Sequence, residues 1–312
     1  MPIFSSGQED LTCIIPIRNM SGRLGFYFDL LPSHPEVNFV IVHDLEDANA
    51  ETELRVFIET NNLKNIEFIE GKFGSPGIAR NQGMRRISTK WVMFWDSDDE
   101  PQINSILNYL NTENFLSKKA EVIIGNFMVK NESGKLSTRK IEANLAELAL
   151  NPGIWRIIFK SDLVRYSHFE DYQMAEDQEF LARILTSQTK VVFTPEVFYT
   201  YVKHNQGQLT KSTVAISDLS KSVPRMFSLL RSDKAIREFV SILLVRQMLT
   251  GVKNIKGLAL FRFYKLIILS LLHTRFNVSR RIVIAVFFVI WSLTSAKISR
   301  HRISKISNSE GI

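Results

Sequence analysis

The densest chemistry in this chain lies in WVMFWDSDDEPQ, residues 91 to 102, where five apolar residues run into Asp96, Ser97, Asp98, Asp99 and Glu100. Carboxylates held this close repel one another unless a cation sits among them. Hard divalent ions such as Mg²⁺ or Mn²⁺ take one or two carboxylates together with phosphate oxygens. A D-x-D turn is therefore suited to bridge protein, metal and a diphosphate; the other reading is a solvated acidic turn. A calcium loop does not fit. Counted from Asp96, its sixth position is Pro101 instead of Gly and its twelfth is Leu107 instead of Glu.

Two further stretches carry usable groups. GSPGIARNQGMRR, residues 74 to 86, is a glycine-containing turn entering a helix, with Arg80 one turn in. A helix start offers free amides and partial positive charge, and Arg80 adds a fork of donors toward phosphate or ribose. The alternative is an amphipathic helix with exposed arginines. AEDQEFLARIL, residues 175 to 185, places Glu176 and Asp177 in a first helical turn. There the helix dipole alone favours acids by roughly 0.3 to 1 kcal/mol each. Other phosphate devices are missing: GKLS at 134 to 137 lacks the upstream glycine pattern of a Walker loop, and no GxGxxG occurs.

The elements that must position these groups alternate. TCIIPI, NFVIVH, NIEFIE, WVMFW and EVIIGNF read as strands, apolar runs without polar alternation that suit a sheet covered on both faces. GRLGFYFDLL, AETELRVFIET and PGIARNQGMRRI read as helices between them, the last capped by Ser75 with Pro76 in its first turn. Alternation of this kind implies an α/β layered sheet. Ligands bind such sheets at the carboxyl ends of the strands, which is where Asp96 to Glu100 follow WVMFW.

LTCIIPIRN, GIARNQG, WVMFWDSDD and AEDQEFLARIL occur in the order and approximate spacing of the family 2 glycosyltransferases, and the chain resembles that family over about residues 10 to 210. The resemblance implies a GT-A fold, with a mixed, mostly parallel sheet flanked by helices. It also implies a nucleotide-diphosphate sugar donor, a divalent cation and inversion at the anomeric carbon. By the same resemblance Asp96 and Asp98 match the metal-holding D-x-D with Asp99 beside it. Pro16, Arg18, Asp44, Arg80 and Asp96 face the nucleotide sugar, and Asp177 is the catalytic base. NPGIWRIIFKSDL is similar to the segment below the acceptor, making Trp155 either a sugar platform or a core residue. Glu176, Lys203 and His204 fall on the acceptor or diphosphate side. Where many members read V-D-D-G-S, this chain has VHDLEDAN, with His43 in place of an acid; QGQLT also lacks the usual G-S. The resemblance therefore names no donor sugar.

The base assignment has a physical basis of its own. A sugar hydroxyl is a poor nucleophile until its proton is taken, and a positioned carboxylate gains roughly 10²- to 10⁴-fold by taking it.

Composition adds a second theme. Hydrophobic residues at 45% and charged ones at 23% fit a globular protein, and the single cysteine, Cys13, excludes a disulfide framework and fits a reducing compartment. MPIFSSGQED has neither the basic start nor the apolar stretch of a signal peptide, so a cytoplasmic location is expected. From Lys211 onward 18 Lys and Arg stand against 4 Asp and Glu, while residues 1 to 210 hold 21 against 28. That division suggests a catalytic region at 1–210, with a nucleotide-sugar half about 1–100 and an acceptor half about 101–210. Residues 211–312 form a basic, apolar, helical C-terminal region. FVSILLVRQML, LALFRFYKLIILSLLH and IVIAVFFVIWSLTSA are its apolar runs. The last, Ile282 to Ala296, is shorter than the roughly 20 residues a spanning helix needs. A membrane-associated extension resting on an anionic cytoplasmic surface, peripheral or monotopic, is expected; a helical subdomain packed on the core is the alternative. Nucleic acid is not an expected partner, because the apolar runs are continuous and not interleaved with aromatics on a polar surface. The expected activity is transfer of a sugar to a hydroxyl of a saccharide or lipid-linked saccharide in cell-surface polysaccharide assembly. The rivals are a sugar-phosphate nucleotidyltransferase and a non-catalytic saccharide-binding or assembly protein.

Overall fold

The structure, a computed structural model, describes residues 11–273 apart from 19, 21, 46–47, 112–118, 140–141, 204–215, 231–233 and 256. His204, the QGQLT loop and the apolar run from Ile282 to Ala296 lie outside the described residues.

The first half is a run of strand and helix: β1 (Leu11–Ile17), α1 (Gly25–Ser33), β2 (Asn38–Asp44), α2 (Ala48–Thr60), β3 (Ile66–Gly71), α3 (Pro76–Met84) and β4 (Trp91–Phe94). Next come β5 (Glu100–Pro101), α4 (Ile103–Asn111), β6 (Val122–Lys130), β7 (Leu136–Arg139), α5 (Leu145–Leu150), β8 (Ile157–Lys160), α6 (Ser161–Val164), α7 (Glu176–Ile184) and β9 (Val191–Val202). They form one mixed sheet of order β3-β2-β1-β4-β8-β6-β9-β5, with β7 added to β6.

The apolar runs are uninterrupted because each face of the sheet meets its own core. Along β1, Ile14 points into one cluster with Val40, Val42, Phe94 and Ala79, while Cys13 and Ile15 point into another with Phe39, Ile41, Met93 and Leu54. Alternate side chains are thus buried on opposite sides, which removes any polar alternation. NIEFIE departs from this reading. It forms β3 at the sheet edge, where Glu67 and Glu70 are exposed. The front strands pair in parallel, but β8 enters antiparallel to both β4 and β6, so the parallel pairing is confined to β3-β2-β1-β4 and to β6 with β9.

Among the described residues, three helices follow the sheet: α8 (Leu219–Ser228), α9 (Lys234–Asn254) and α10 (Gly257–His273). Val223, Phe227, Phe239, Val240, Leu243, Leu244, Met248 and Phe263 are buried in the same cluster as Phe94, Phe159 and Phe180. The core therefore does not stop at residue 210. FVSILLVRQML is greasy because its helix closes one side of the sheet. No helix among the described residues is long and apolar enough to cross a membrane.

A chain stopped after residue 210 uncovers the core against which these side chains pack. Burying each one contributes about 1.5–3 kcal/mol, and a whole domain is stable by only about 5–15 kcal/mol. We expect the truncated chain to aggregate and to show no cooperative urea transition. A soluble product with one sharp transition would mean that residues 1–210 fold alone.

Candidate active site

The site is built around α3. Ser75 adopts extended backbone and its Oγ accepts from the Ile78 amide at 3.4 Å, with Pro76 opening the helix. Both caps act as the sequence implied. One turn in, Arg80 points inward, with only 4% of its surface exposed. Its Nη2 donates to Asp96 Oδ1 at 2.7 Å and its Nη1 to Glu176 Oε1 at 2.9 Å. The guanidinium also lies 5.5 Å from the centre of the Phe169 ring. Neither sequence reading of Arg80 anticipates this: the arginine is not on an exposed face, and the partners it has here are two carboxylates.

The next residue extends the tie. Asn81 donates to the Phe169 carbonyl and accepts from the Phe169 amide, each at 2.8 Å. Ser75 donates to Asp171 Oδ1 at 2.7 Å. Gly77 allows this approach, since a Cβ there would sit 2.6 Å from the Glu170 carbonyl oxygen. The ARN stretch therefore fastens the segment before α7 to the sheet.

Asp96 leaves β4 at its carboxyl end, as expected. Two buried tyrosines fix its backbone: the Tyr27 hydroxyl donates to its carbonyl at 2.9 Å, and its amide donates to the Tyr199 hydroxyl at 2.9 Å. Asp98 is exposed. Asp99, expected beside a metal, is 3% exposed and its Oδ1 accepts from the Val202 amide at 2.7 Å. Burial, reinforced by Asp96 and Asp98, pushes the Asp99 carboxyl well above its ordinary range. Its work is inside the protein, fixing the end of β9. Glu100 takes the Lys130 ammonium at 2.6 Å.

This donor set fits a hard divalent cation in one respect. Asp96 and Asp98 stand at the rim as oxygen donors, so the remaining shell would come from phosphate oxygens and water, the usual pattern for Mg²⁺. Among the described residues, the group of three closely placed metal-ligand side chains lies elsewhere, at His43, Glu51 and Glu70.

The adjacent acids of α7 have different fates. They follow Ala175, whose φ of 73° is a left-handed conformation that a side chain rarely adopts. Glu176 is buried against Arg80; burial pushes its carboxyl up and Arg80 pulls it back, the net shift being upward. Asp177 is half-buried, and its Oδ1 accepts from the Gln178 amide at 2.7 Å. Burial and the neighbouring Glu176 push it up to about 7, against the pull of Arg80. Arg80 stays protonated: burial opposes its charge, but Asp96, Glu176 and Asp177 outweigh that cost.

The other expected residues divide into two places. Pro16 is the penultimate residue of β1, and just beyond the strand Arg18 Nη1 donates to the Gly74 carbonyl at 3.2 Å while the Gly74 amide donates to Asp44 Oδ2 at 3.0 Å. Pro16, Arg18 and Asp44 thus share the rim with the start of α3. Trp155 is half-buried, stacked on Tyr199 with centroids 4.5 Å apart and edge-on to Phe127 at 5.0 Å. Gly153 makes room for it, because a Cβ there would lie 2.4 Å from the indole. Trp155 so reaches the Asp96 backbone through Tyr199. Lys203 follows β9 directly, its amide donating to the Lys130 carbonyl at 2.9 Å. Sequence reasoning missed Tyr27, Asn81 and Tyr199. Their signals were a tyrosine in α1, the residue after Arg80, and the aromatic alternation of YTY.

Sheet order and strand-end acids together define a GT-A glycosyltransferase fold. The chain belongs to glycosyl transferase family 2, whose family model matches residues 12–174, just over half of it. It is similar to Glycosyltransferase GlyA of Streptococcus pneumoniae serotype 4 (strain ATCC BAA-334 / TIGR4), with 23% identity over 230 residues. That match covers 65% of this chain and 32% of the relative, so the chain spans about a third of that protein's length. Among solved structures, S. aureus TarS 1-349 in complex with UDP-GlcNAc superposes with a TM-score of 0.65 at 15% identity, covering 83% of this chain and 81% of that one. The mannosyltransferase PcManGT from Pyrobaculum calidifontis, in complex with GDP-Man and Mn²⁺, gives 0.51 at 14% identity, covering 96% and 83%.

Replacing Arg80 by Ala leaves Glu176 buried without its cation. Breaking a buried pair this way costs about 3–5 kcal/mol, and we expect a loss of that size in urea unfolding. Adding Glu176→Gln should restore a large part of it, because the second change removes the orphaned charge. An Arg80→Ala loss below about 1 kcal/mol would show that the bridge is not holding the site together.

Proposed function

We propose that this chain transfers one sugar from a nucleoside diphosphate donor to a hydroxyl of a saccharide or lipid-linked saccharide, with inversion, in cell-surface polysaccharide assembly. The observation that carries this reading is the unequal treatment of two adjacent acids. Glu176 is locked to Arg80, while Asp177, only partly buried and raised to about 7, is left poised to accept a proton. One available carboxylate beside the Asp96 turn suits a single displacement. An enzyme that retained configuration through a covalent intermediate would need a second, nucleophilic carboxylate.

In that reaction the acceptor oxygen attacks the anomeric carbon, and Asp177 takes the hydroxyl proton as the new bond forms. The bond from the anomeric carbon to the diphosphate oxygen breaks, and the nucleoside diphosphate leaves with the electron pair. Asp96 and Asp98 would hold a divalent cation, Mn²⁺ or Mg²⁺, which supplies Lewis-acid stabilisation of the departing diphosphate. Arg80 holds Asp96 and the Glu176–Asp177 turn at a fixed separation, so that donor and base meet in one geometry. Pro16, Arg18 and Asp44 sit where a nucleoside would lie beside the start of α3, and Trp155 is placed to meet the acceptor.

Calorimetry with UDP and GDP, with and without Mn²⁺, tests the donor side. We expect metal-dependent binding of one nucleotide, lost in Asp98→Asn and retained in Asp177→Asn. Transfer by Asp177→Asn should fall by roughly 10²- to 10⁴-fold. The parent's kcat/KM should rise with pH through about 7, because only ionised Asp177 accepts the proton and burial and Glu176 have raised its ionisation to that range. Binding indifferent to metal, or a flat profile between pH 5 and 8, would overturn the assignment.

We further propose that the enzyme works at the cytoplasmic face of a membrane, held peripherally by α10. Leu258, Phe261 and Ile268 are exposed at helical spacing along that helix, with Arg262 and Lys265 exposed on the same side. Apolar groups flanked by cations suit an anionic lipid surface, where each well-placed Lys or Arg contributes about 1 kcal/mol. Sedimentation with vesicles should show binding that grows with the anionic lipid fraction and weakens at least about tenfold for Phe261→Glu combined with Lys265→Glu. Equal partitioning of parent and variant would exclude α10 as the contact.

A further inference from the structure

His43 poses a problem that the proposed transfer reaction does not solve. The residue is fully buried near the end of β2, and neither ring nitrogen has a hydrogen-bond partner. An unsatisfied buried polar group costs about 1–3 kcal/mol. An aliphatic residue, like Val42 and Ile41 before it, would fill the space without that cost.

What surrounds the ring is a ligand set. Glu70 is the direct register partner of His43 on β3, and Glu51 comes from the first turn of α2. One imidazole nitrogen and one carboxylate oxygen from each acid all lie within 4.8 Å of one another. The imidazole is fixed in place by stacking on Phe68, with centroids 6.0 Å apart at 19°. At present a cation of the protein answers the two acids: Arg55 donates from Nε to Glu51 at 3.1 Å and pairs through Nη2 with Glu70. Its side chain is 43% exposed, so it can swing into solvent. The guanidinium balances the carboxylates but leaves both nitrogens of His43 unmet.

We propose that His43, Glu51 and Glu70 form a second cation site, separate from the Asp96 turn, that takes a divalent ion of the zinc class. One imidazole and two carboxylates form a mixed nitrogen and oxygen set, which Zn²⁺ binds with three protein ligands and an open fourth position. Bonds of about 2.0–2.2 Å place tetrahedral ligands about 3.3 Å apart. The carboxylates, on flexible and partly exposed side chains, close the remaining distance. The ion would pin α2 to the edge strand beside Asp44, and it would give one nitrogen of His43 the partner it lacks. The proposal does not depend on the reaction assigned to the chain.

Titrating the full chain with Co²⁺, without nucleotide and in an Asp98→Asn background that alters an exposed residue of the Asp96 turn, isolates this site. We expect one equivalent of Co²⁺, a visible ligand-field band of a tetrahedral or five-coordinate ion, and its displacement by Zn²⁺. Glu70→Gln and Glu51→Gln alter partly exposed side chains that the fold does not need, and each should weaken binding at least about tenfold. His43→Phe should abolish the band, and Arg55→Gln should tighten binding because it removes the competing cation. Co²⁺ binding that is absent in this background, or unchanged in the two glutamine variants, or weakened by Arg55→Gln, would overturn the proposal.

Discussion

Arg80 is the constraint on which the rest of the site depends. Its guanidinium joins Asp96, at the end of a strand, to Glu176, at the start of a helix 80 residues further along the chain. Burying an arginine is costly unless its charge is compensated, and here two carboxylates compensate it. The reverse also holds. Glu176 can be buried only because Arg80 is there, and Asp177 takes its position from the helix that Glu176 opens. Everything that fixes α3 therefore fixes the candidate base: the Ser75 cap, the bare Gly77 against the Glu170 carbonyl, and Gly83, where a Cβ would meet the Ile14 side chain at 2.5 Å.

The same burial sets the chemistry. Water is excluded around α7 from the rear, where Phe180, Leu181 and Ile184 pack with Phe239, Val240 and Leu243. A carboxylate in that setting loses hydration, and Asp177 ionises near neutrality because of it. Glu176 suffers the same loss and Arg80 offsets only part of it, so its carboxyl also stays raised. Two neighbouring acids of nearly the same chemistry thus sit in different surroundings, Glu176 paired with Arg80 and Asp177 with the Gln178 amide, and the left-handed backbone at Ala175 opens the helix that carries both.

Much of this was legible in the sequence, for reasons that differ by element. The front strands could be read because both their faces are buried, and the start of α3 because Ser-Pro caps follow from local backbone chemistry. The acids after Trp95 could be placed because a strand end is a topological landmark. NIEFIE was rightly read as a strand but grouped with the runs buried on both faces, since its two exposed glutamates are outnumbered by apolar neighbours. The partners of Arg80 could not be read at all. A sequence shows that an arginine lies one turn into a helix, but not which distant carboxylates will face it. Tyr27 and Tyr199 were hidden for the same reason, being ordinary aromatic residues until the fold brings their hydroxyls to one backbone unit. Asp99 looked equivalent to its neighbours and is the one that turns inward to the Val202 amide.

The basic rear of the chain also changes meaning once folded. Its apolar content read as one property, yet the structure divides it between helices. The core-facing residues of α9 are buried against the catalytic sheet, and Gln247 on that helix links two others: its Oε1 accepts from Ser222 at 2.9 Å, and its Nε2 donates to Gln178 at 3.3 Å. Gln178 directly follows Asp177, so the rear helices reach within one residue of the candidate base. α10 turns Leu258 and Phe261 outward instead. The same layer thus meets the residue after Asp177 through α9 and presents apolar side chains through α10.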